Sequence, residues 1–224
     1  ILYIIYYIMD IVDASIVGDI QRVQELLENG VNPNFRDKDG QIALMMASLQ
    51  GYTEIVQLLL ENGADPNLKD DYGMTALIRA SSWGYTKIVR LLLEKRADPN
   101  IQNRDGTTAL IYASGDGYTE IVRLLLENRA DPNIIANDGD TVLIMASARG
   151  YTEIVRLLLE KGADPNIRNY DGNTVIQVAQ EKYNNLRQGR AWDHNMTVSV
   201  REKNVSDLAN IIELLESGRV RQVV

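Results

Sequence analysis

Residues 70–102 read DDYGMTALIRASSWGYTKIVRLLLEKRADPNIQ, and their marker motifs return almost unchanged on either side. Gly-Tyr-Thr occurs at 51–53, 84–86, 117–119 and 150–152. Leu-Leu-Leu-Glu occurs at 58–61, 91–94, 124–127 and 157–160, and Ala-Asp-Pro-Asn at 64–67, 97–100, 130–133 and 163–166. Each step is 33 residues without slippage, so the chain is an array of one supersecondary unit.

The quoted unit explains itself physically. Asp70-Asp71-Tyr72-Gly73 is turn chemistry. Thr75 suits a helix N-cap, and a short helix of small and apolar residues follows through Ala80. Gly84 stands where a left-handed residue ends that helix. Thr86 is expected to cap a second helix, Lys87 to about Lys95, whose Ile88, Val89, Leu91, Leu92 and Leu93 make a stripe wide enough for two neighbours. Ala97-Asp98-Pro99-Asn100 breaks the helix, and the asparagine of each such motif is expected to hold the turn. The helix ends in Asn-Gly at 62–63 and Lys-Gly at 161–162, but in Lys-Arg at 95–96 and Asn-Arg at 128–129. If the second position is left-handed, Arg96 and Arg129 each cost about 1 kcal/mol relative to glycine.

These motifs resemble the ankyrin repeat. Thr-Ala-Leu-Ile at 75–78 and 108–111 stands where that family has Thr-Pro-Leu-His, Gly-Tyr stands for its Gly-His, and Gly-Ala-Asp-Pro-Asn for its helix-ending motif. The resemblance implies an all-α solenoid of stacked helix–loop–helix units with β-turn fingers. The expected organisation is an apolar extension at 1–9, a capping repeat at 10–36, full repeats at 37–69, 70–102, 103–135 and 136–168, a last repeat at 169–218 and a tail at 219–224. Within 10–36, helix one is Asp10–Val17 and helix two is Ile20–Glu28. The last repeat carries about 23 extra residues near 183–206, including Trp192, Arg187, Arg190 and Arg201. They either cover the end of the stack or contact a partner. Residues 1–8, ILYIIYYI, do not form a finger, because Tyr7 stands where the turn glycine belongs. They read as an apolar arm on the first repeat or, preferably, as translated upstream sequence with Met9 as the start.

Composition narrows the function. The chain has 224 residues, net charge −8 and no cysteine. That charge argues against nucleic acid, and the missing thiols exclude disulfides and cysteine chemistry. No apolar run approaches the ~18 residues of a membrane span. The one histidine, His194, lies in the insertion without an activated serine, and no metal-ligand spacing is present, so no catalysis, cofactor or metal is expected. Asp39, Asp105, Asp138 and Asp171, each one residue before a turn glycine, read as turn formers. A monomer in the cytoplasm is the matching expectation, in the host cytosol if the source is a virus or an intracellular bacterium.

What varies between repeats then points to function. The differing positions fall on the exposed side of helix one and at the turn tips, both of which the ankyrin resemblance places on a concave face. They include Met46, Arg79, Trp83, Tyr112, Met145 and Arg149 on helix one, and Tyr72, Met74 and Arg104 on the fingers. Aromatics, methionine and arginine are the residue types enriched at interface centres. Trp83 is expected to be exposed, because its counterparts Gln50, Asp116 and Arg149 are polar. The reading is a non-enzymatic scaffold that binds a protein through this face. The alternatives are a targeting adaptor, recruiting machinery such as a ubiquitin ligase, and a stoichiometric enzyme regulator.

Overall fold

The computed structural model describes residues 9–188 and 198–217, with side chains for all of these except 198–201. The extension at 1–8, His194, Trp192 and Arg190 lie outside the described residues. Among the described residues all regular structure is helical apart from two isolated bridges, Arg36–Ile42 and Ile135–Thr141. The chain divides into two compact units between Arg104 and Asp105.

The first unit holds α1 (Ile11–Val17), α2 (Ile20–Glu28), α3 (Ala43–Gln50), α4 (Thr53–Glu61), α5 (Ala76–Ser82) and α6 (Thr86–Glu94). Within it, α3 packs between α1 and α5, and α4 between α2 and α6. In the second unit, α7 (Ala109–Gly115), α8 (Thr119–Glu127), α9 (Val142–Ala148) and α10 (Thr152–Glu160) repeat this arrangement. It ends in α11 (Val175–Arg187) and α12 (Val198–Ser217), which pack on each other and on α9 and α10.

Local chemistry sets the helix boundaries. The hydroxyls of Thr75, Thr108 and Thr141 accept from the backbone N–H groups of Ile78, Ile111 and Ile144 at 3.2, 3.3 and 3.2 Å, satisfying one orphan donor at the start of each short helix. Asp10 does the same for α1, taking Val12 N at 2.8 Å and Asp13 N at 2.9 Å. Thr86 does not cap its helix as expected. It is the first helical residue, its hydroxyl donates to Gly84 O at 3.5 Å, and the N-cap position belongs to Tyr85, which makes no side-chain cap.

Packing follows the stripe. Ile88, Val89, Leu92 and Leu93 of α6 are buried, as are Ile121, Val122, Leu125 and Leu126 of α8. Each fully buried side chain of this size contributes about 1.5–3 kcal/mol. Ala47-Ser48, Ala80-Ser81, Ala113-Ser114 and Ala146-Ser147 are wholly buried, and their small size lets the short helices approach closely. Within each compact unit the tyrosine of a Gly-Tyr-Thr closes the contact with the repeat before it. Tyr85 lies across Gly51, where a Cβ would sit 2.8 Å from its ring, and Tyr151 lies across Gly117 in the same way at 2.9 Å. With φ at 82°, Gly51 is thus fixed both by its backbone and by its neighbour.

The Ala-Asp-Pro-Asn loops carry a second stitch, and here the expected role of the asparagine is corrected. The aspartate holds the turn: Asp65 Oδ1 accepts from Asn67 N, and Asp98 Oδ1 from Asn100 N, both at 2.9 Å. The asparagine amide instead reaches into the next loop. Asn67 Oδ1 accepts from Asp98 N at 2.7 Å, and its Nδ2 donates to Arg96 O at 3.3 Å. Asn34 makes the same pair with Asp65 N and Gly63 O, and Asn133 with Asp164 N and Gly162 O. Asn166 differs, its amide donating to Asp164 Oδ1 in its own loop at 2.8 Å.

Two predictions follow from these loops. Arg96 and Arg129 are the described non-glycine residues with positive φ, at 64° and 68°, where Gly63 and Gly162 hold 86° and 89°. Arg96→Gly and Arg129→Gly should each raise the melting temperature, by the equivalent of about 1 kcal/mol; calorimetry showing no rise in either would refute the strain. Asn67→Ala and Asn133→Ala should each cost about 1–2 kcal/mol, and Asn166→Ala clearly less, because only the first two join separate loops. Urea titration of the three variants ranks them.

Candidate functional site

Sequence variation concentrates on the short helices and fingers, and each compact unit places these residues in its own way. In the first unit the finger 70–74 is a built object. Asp70 Oδ1 accepts from Tyr72 N and Met74 N, each at 2.9 Å, and Gly73 N donates to Asp70 O. Gly73 has φ 75°, and a Cβ there would meet the backbone of Asn103 and Arg104 at 3.0 Å, so glycine is required twice over. Arg104 N then donates to Tyr72 O at 3.0 Å, and the Arg104 guanidinium stands 5.8 Å from the centre of the Tyr72 ring, in cation–π range.

Arg79 fastens this finger to α5. Its Nη2 donates to Asp70 Oδ2 at 2.8 Å, and Asp70 is largely buried. The Arg79 Nε is buried and has no partner among the described residues. Next to this pair opens a cleft of about 180 Å³, lined by Asp39, Met46, Leu49, Asp71, Tyr72 and Arg79 among others. Three of the residues singled out by variation, Met46, Tyr72 and Arg79, therefore share one hollow. Met74 does not join them: half-buried, its sulfur accepts from Asn103 Nδ2 at 3.5 Å. Trp83, the C-cap residue of α5, is 59% exposed, in line with its polar counterparts.

The fingers also correct the reading of the repeated acids. In finger 37–41 the turn is held by Asp37, whose Oδ1 accepts from Asp39 N at 2.9 Å and Gln41 N at 2.8 Å. Asp39 stands exposed at the tip, so it is not the turn former. In finger 136–140 the first position is Ala136, whose side chain has no acceptor, and there Asp138 does take Asp140 N, at 3.1 Å.

In the second unit Tyr112 and Met145 are half-buried, and Met145 Cε would lie 3.6 Å from a Cβ on Gly115. Arg149 turns back on its own unit, donating to Gly115 O and pairing with Asp116 at 3.5 Å. A further cleft of about 280 Å³, which sequence reasoning missed, is lined by Arg149, Tyr151, Lys182, Leu186, Asn204 and Leu208. Its walls come from the lengthened α11 and α12, for which no other repeat offers a template.

Among the described residues no group of three or more His, Asp or Glu could hold a metal ion, and no helix is long and apolar enough to cross a membrane. The family model for ankyrin repeats (3 copies) matches residues 11–103 and 95–169. The chain belongs to the ankyrin-repeat family. Among solved structures it is similar to an ankyrin repeat domain from Acinetobacter baumannii AYE, with 32% identity and TM-score 0.75 over 90% of this chain and 96% of that one. It is also similar to EF0377, an ankyrin repeat protein, with 29% identity and TM-score 0.72 over 89% and 96% of the two chains. No curated protein matches. The all-α ankyrin solenoid implied by the motifs is thus the fold, with Ala or Val and Ile in place of the Pro and His of the family's first motif.

One finger of this ankyrin array is electrostatically strained. Burial pushes the Asp140 carboxyl above the ordinary range, the hydrogen bond from Asn169 Nδ2 at 3.1 Å pulls it back, and Asp138 and Asp171 push it up. A carboxyl whose folded pKa is raised loses stability as pH climbs through the unfolded value toward the folded one. Asp140→Asn, which keeps an acceptor for Asn169, should therefore raise the melting temperature at pH 7 and much less at pH 3. Equal gains at both pH values in thermal melts would refute a charge effect.

Proposed function

We propose that this ankyrin array is a non-enzymatic binding module whose docking surface is the short-helix and finger side of the first compact unit. Ankyrin repeats generally mediate protein–protein interaction. The observation that carries the finer reading is the hollow in which Met46, Tyr72 and Arg79 meet, with Arg104 braced over the Tyr72 ring. Tyr72 is 69% exposed although its backbone is held by Asp70 of its own finger and Arg104 of the next, so an aromatic side chain is presented from a rigid base. Rigid presentation limits the ordering cost of association. Trp83 adds a second exposed aromatic anchor on the same unit.

In the second unit, Tyr112, Met145 and Arg149 make a weaker case. The first two are half-buried, and Arg149 is spent on Gly115 and Asp116. The surface we assign is therefore narrower than the variable set. Affinity capture from the source organism, with recovered proteins quantified by mass spectrometry, tests it. Tyr72→Ala combined with Trp83→Ala should lower recovery of a specific partner at least tenfold, whereas Tyr112→Ala should lower it little. Undiminished capture by the Tyr72/Trp83 variant would overturn the assignment.

A further inference from the structure

The hollow beside Tyr72 has a chemistry of its own, and what it would accept can be read from its walls; this step rests on the binding surface proposed above. Its floor is apolar, with Met46 and Leu49 on α3. Its charged lining is Asp39, Asp70, Asp71 and Arg79. Arg79 and Asp70 neutralise one another at 2.8 Å. That leaves Asp39 and Asp71, both exposed and neither in a side-chain hydrogen bond or ion pair among the described residues. Of the other cations on or beside these fingers, Arg36 donates to Gly40 O and Lys69 O, Arg104 is stacked on Tyr72, and neither these two nor Lys38 and Lys69 line the hollow. The hollow is therefore an apolar slot with a net acidic mouth, on a chain of net charge −8.

We propose that this slot takes a lysine or arginine side chain of a bound polypeptide. A long basic side chain is apolar along its stem and charged at its tip. The stem lies along Met46 and Leu49, and the cation meets Asp39 and Asp71 at the mouth. An acidic segment is disfavoured by the two free carboxylates. A purely apolar one leaves them desolvated and unpaired.

The two carboxylates can be neutralised without touching the turns, because Asp37 and Asp70 hold those. Peptides are selected from a random phage-displayed library on the full chain, and their affinities are measured by fluorescence anisotropy. Selected sequences should carry Lys or Arg next to an apolar residue. Asp39→Asn with Asp71→Asn should bind them about tenfold more weakly, Kd should rise with salt, and Glu54→Gln, an exposed acid elsewhere on the unit, should change nothing. A matched melting temperature shows that the double variant is folded. Selected peptides that are acidic or uncharged but lost on Met46→Ala and Tyr72→Ala would overturn the cation and keep the surface. Peptides indifferent to all four changes, or no selection above background, would overturn both.

Discussion

A single ankyrin repeat cannot finish its own hydrogen bonding. The amide of Asn67 supplies the acceptor for Asp98 N and the donor for Arg96 O, groups that belong to the next loop and have no partner within it. Asn34 and Asn133 do the same one step earlier and two steps later. At the opposite corner of each repeat, Tyr85 and Tyr151 close over the glycines of the repeat before. Within each compact unit, two contacts at fixed separation, one polar and one aromatic, tie a repeat to its neighbour. Lengthening either helix alone would pull one of them out of register. The strict 33-residue step is the sequence record of that double constraint, and it makes stability a sum over neighbouring interfaces.

Positions outside the stitches are free to differ, and the register shared by Gln50, Trp83, Asp116 and Arg149 shows what freedom allows. In the second unit two of these close on each other, as Arg149 pairs with Asp116. In the first, Trp83 is left 59% exposed. The same architectural slot thus serves as an internal ion pair in one place and an aromatic surface in another. The fingers divide similarly. Asp37 and Asp70 are committed to their turns, which releases Asp39 and Asp71 to define the mouth of a cleft. The proposed binding surface draws on side chains, such as Trp83, Asp39 and Asp71, that the turn hydrogen bonds do not use.

The helices were legible in the sequence because their determinants are local: Thr75 caps Ile78 three residues on, and Gly51 takes positive φ where the helix stops. The left-handed setting of Arg96 and Arg129 could be read from the glycines at equivalent positions. What escaped was non-local. The asparagine stitch spans 29 and 31 residues, and a motif read inside one repeat makes the asparagine look like a turn former. Asp39 was misread for a local reason: which of the two aspartates in Asp37-Lys38-Asp39 accepts the turn amides depends on backbone direction. The exposure of Trp83 was inferable from its polar counterparts. The gathering of Met46, Tyr72 and Arg79 into one hollow was not, because it depends on how far a finger leans over a helix.

The last repeat shows how the stack can depart from its rule without losing its packing. The short helices elsewhere have 7 or 8 residues and the long ones 9, but α11 has 13 and α12 has 20. The extra sequence expected between the two helices is therefore largely spent on lengthening them. Where a tyrosine should cover Gly150, the Cβ of Asp207 would lie 3.5 Å from one on that glycine, and Thr152 donates to Asp207 O at 3.4 Å. The tyrosine seen over Gly18, Gly51 and Gly117 is replaced here by Asp207 of α12, and Leu186 of α11 and Leu208 and Ile211 of α12 are buried. A contact made by a whole helix does not require the 33-residue step, so here, and nowhere earlier in the array, the spacing constraint is relaxed. The family model stops matching at residue 169, where that relaxation begins.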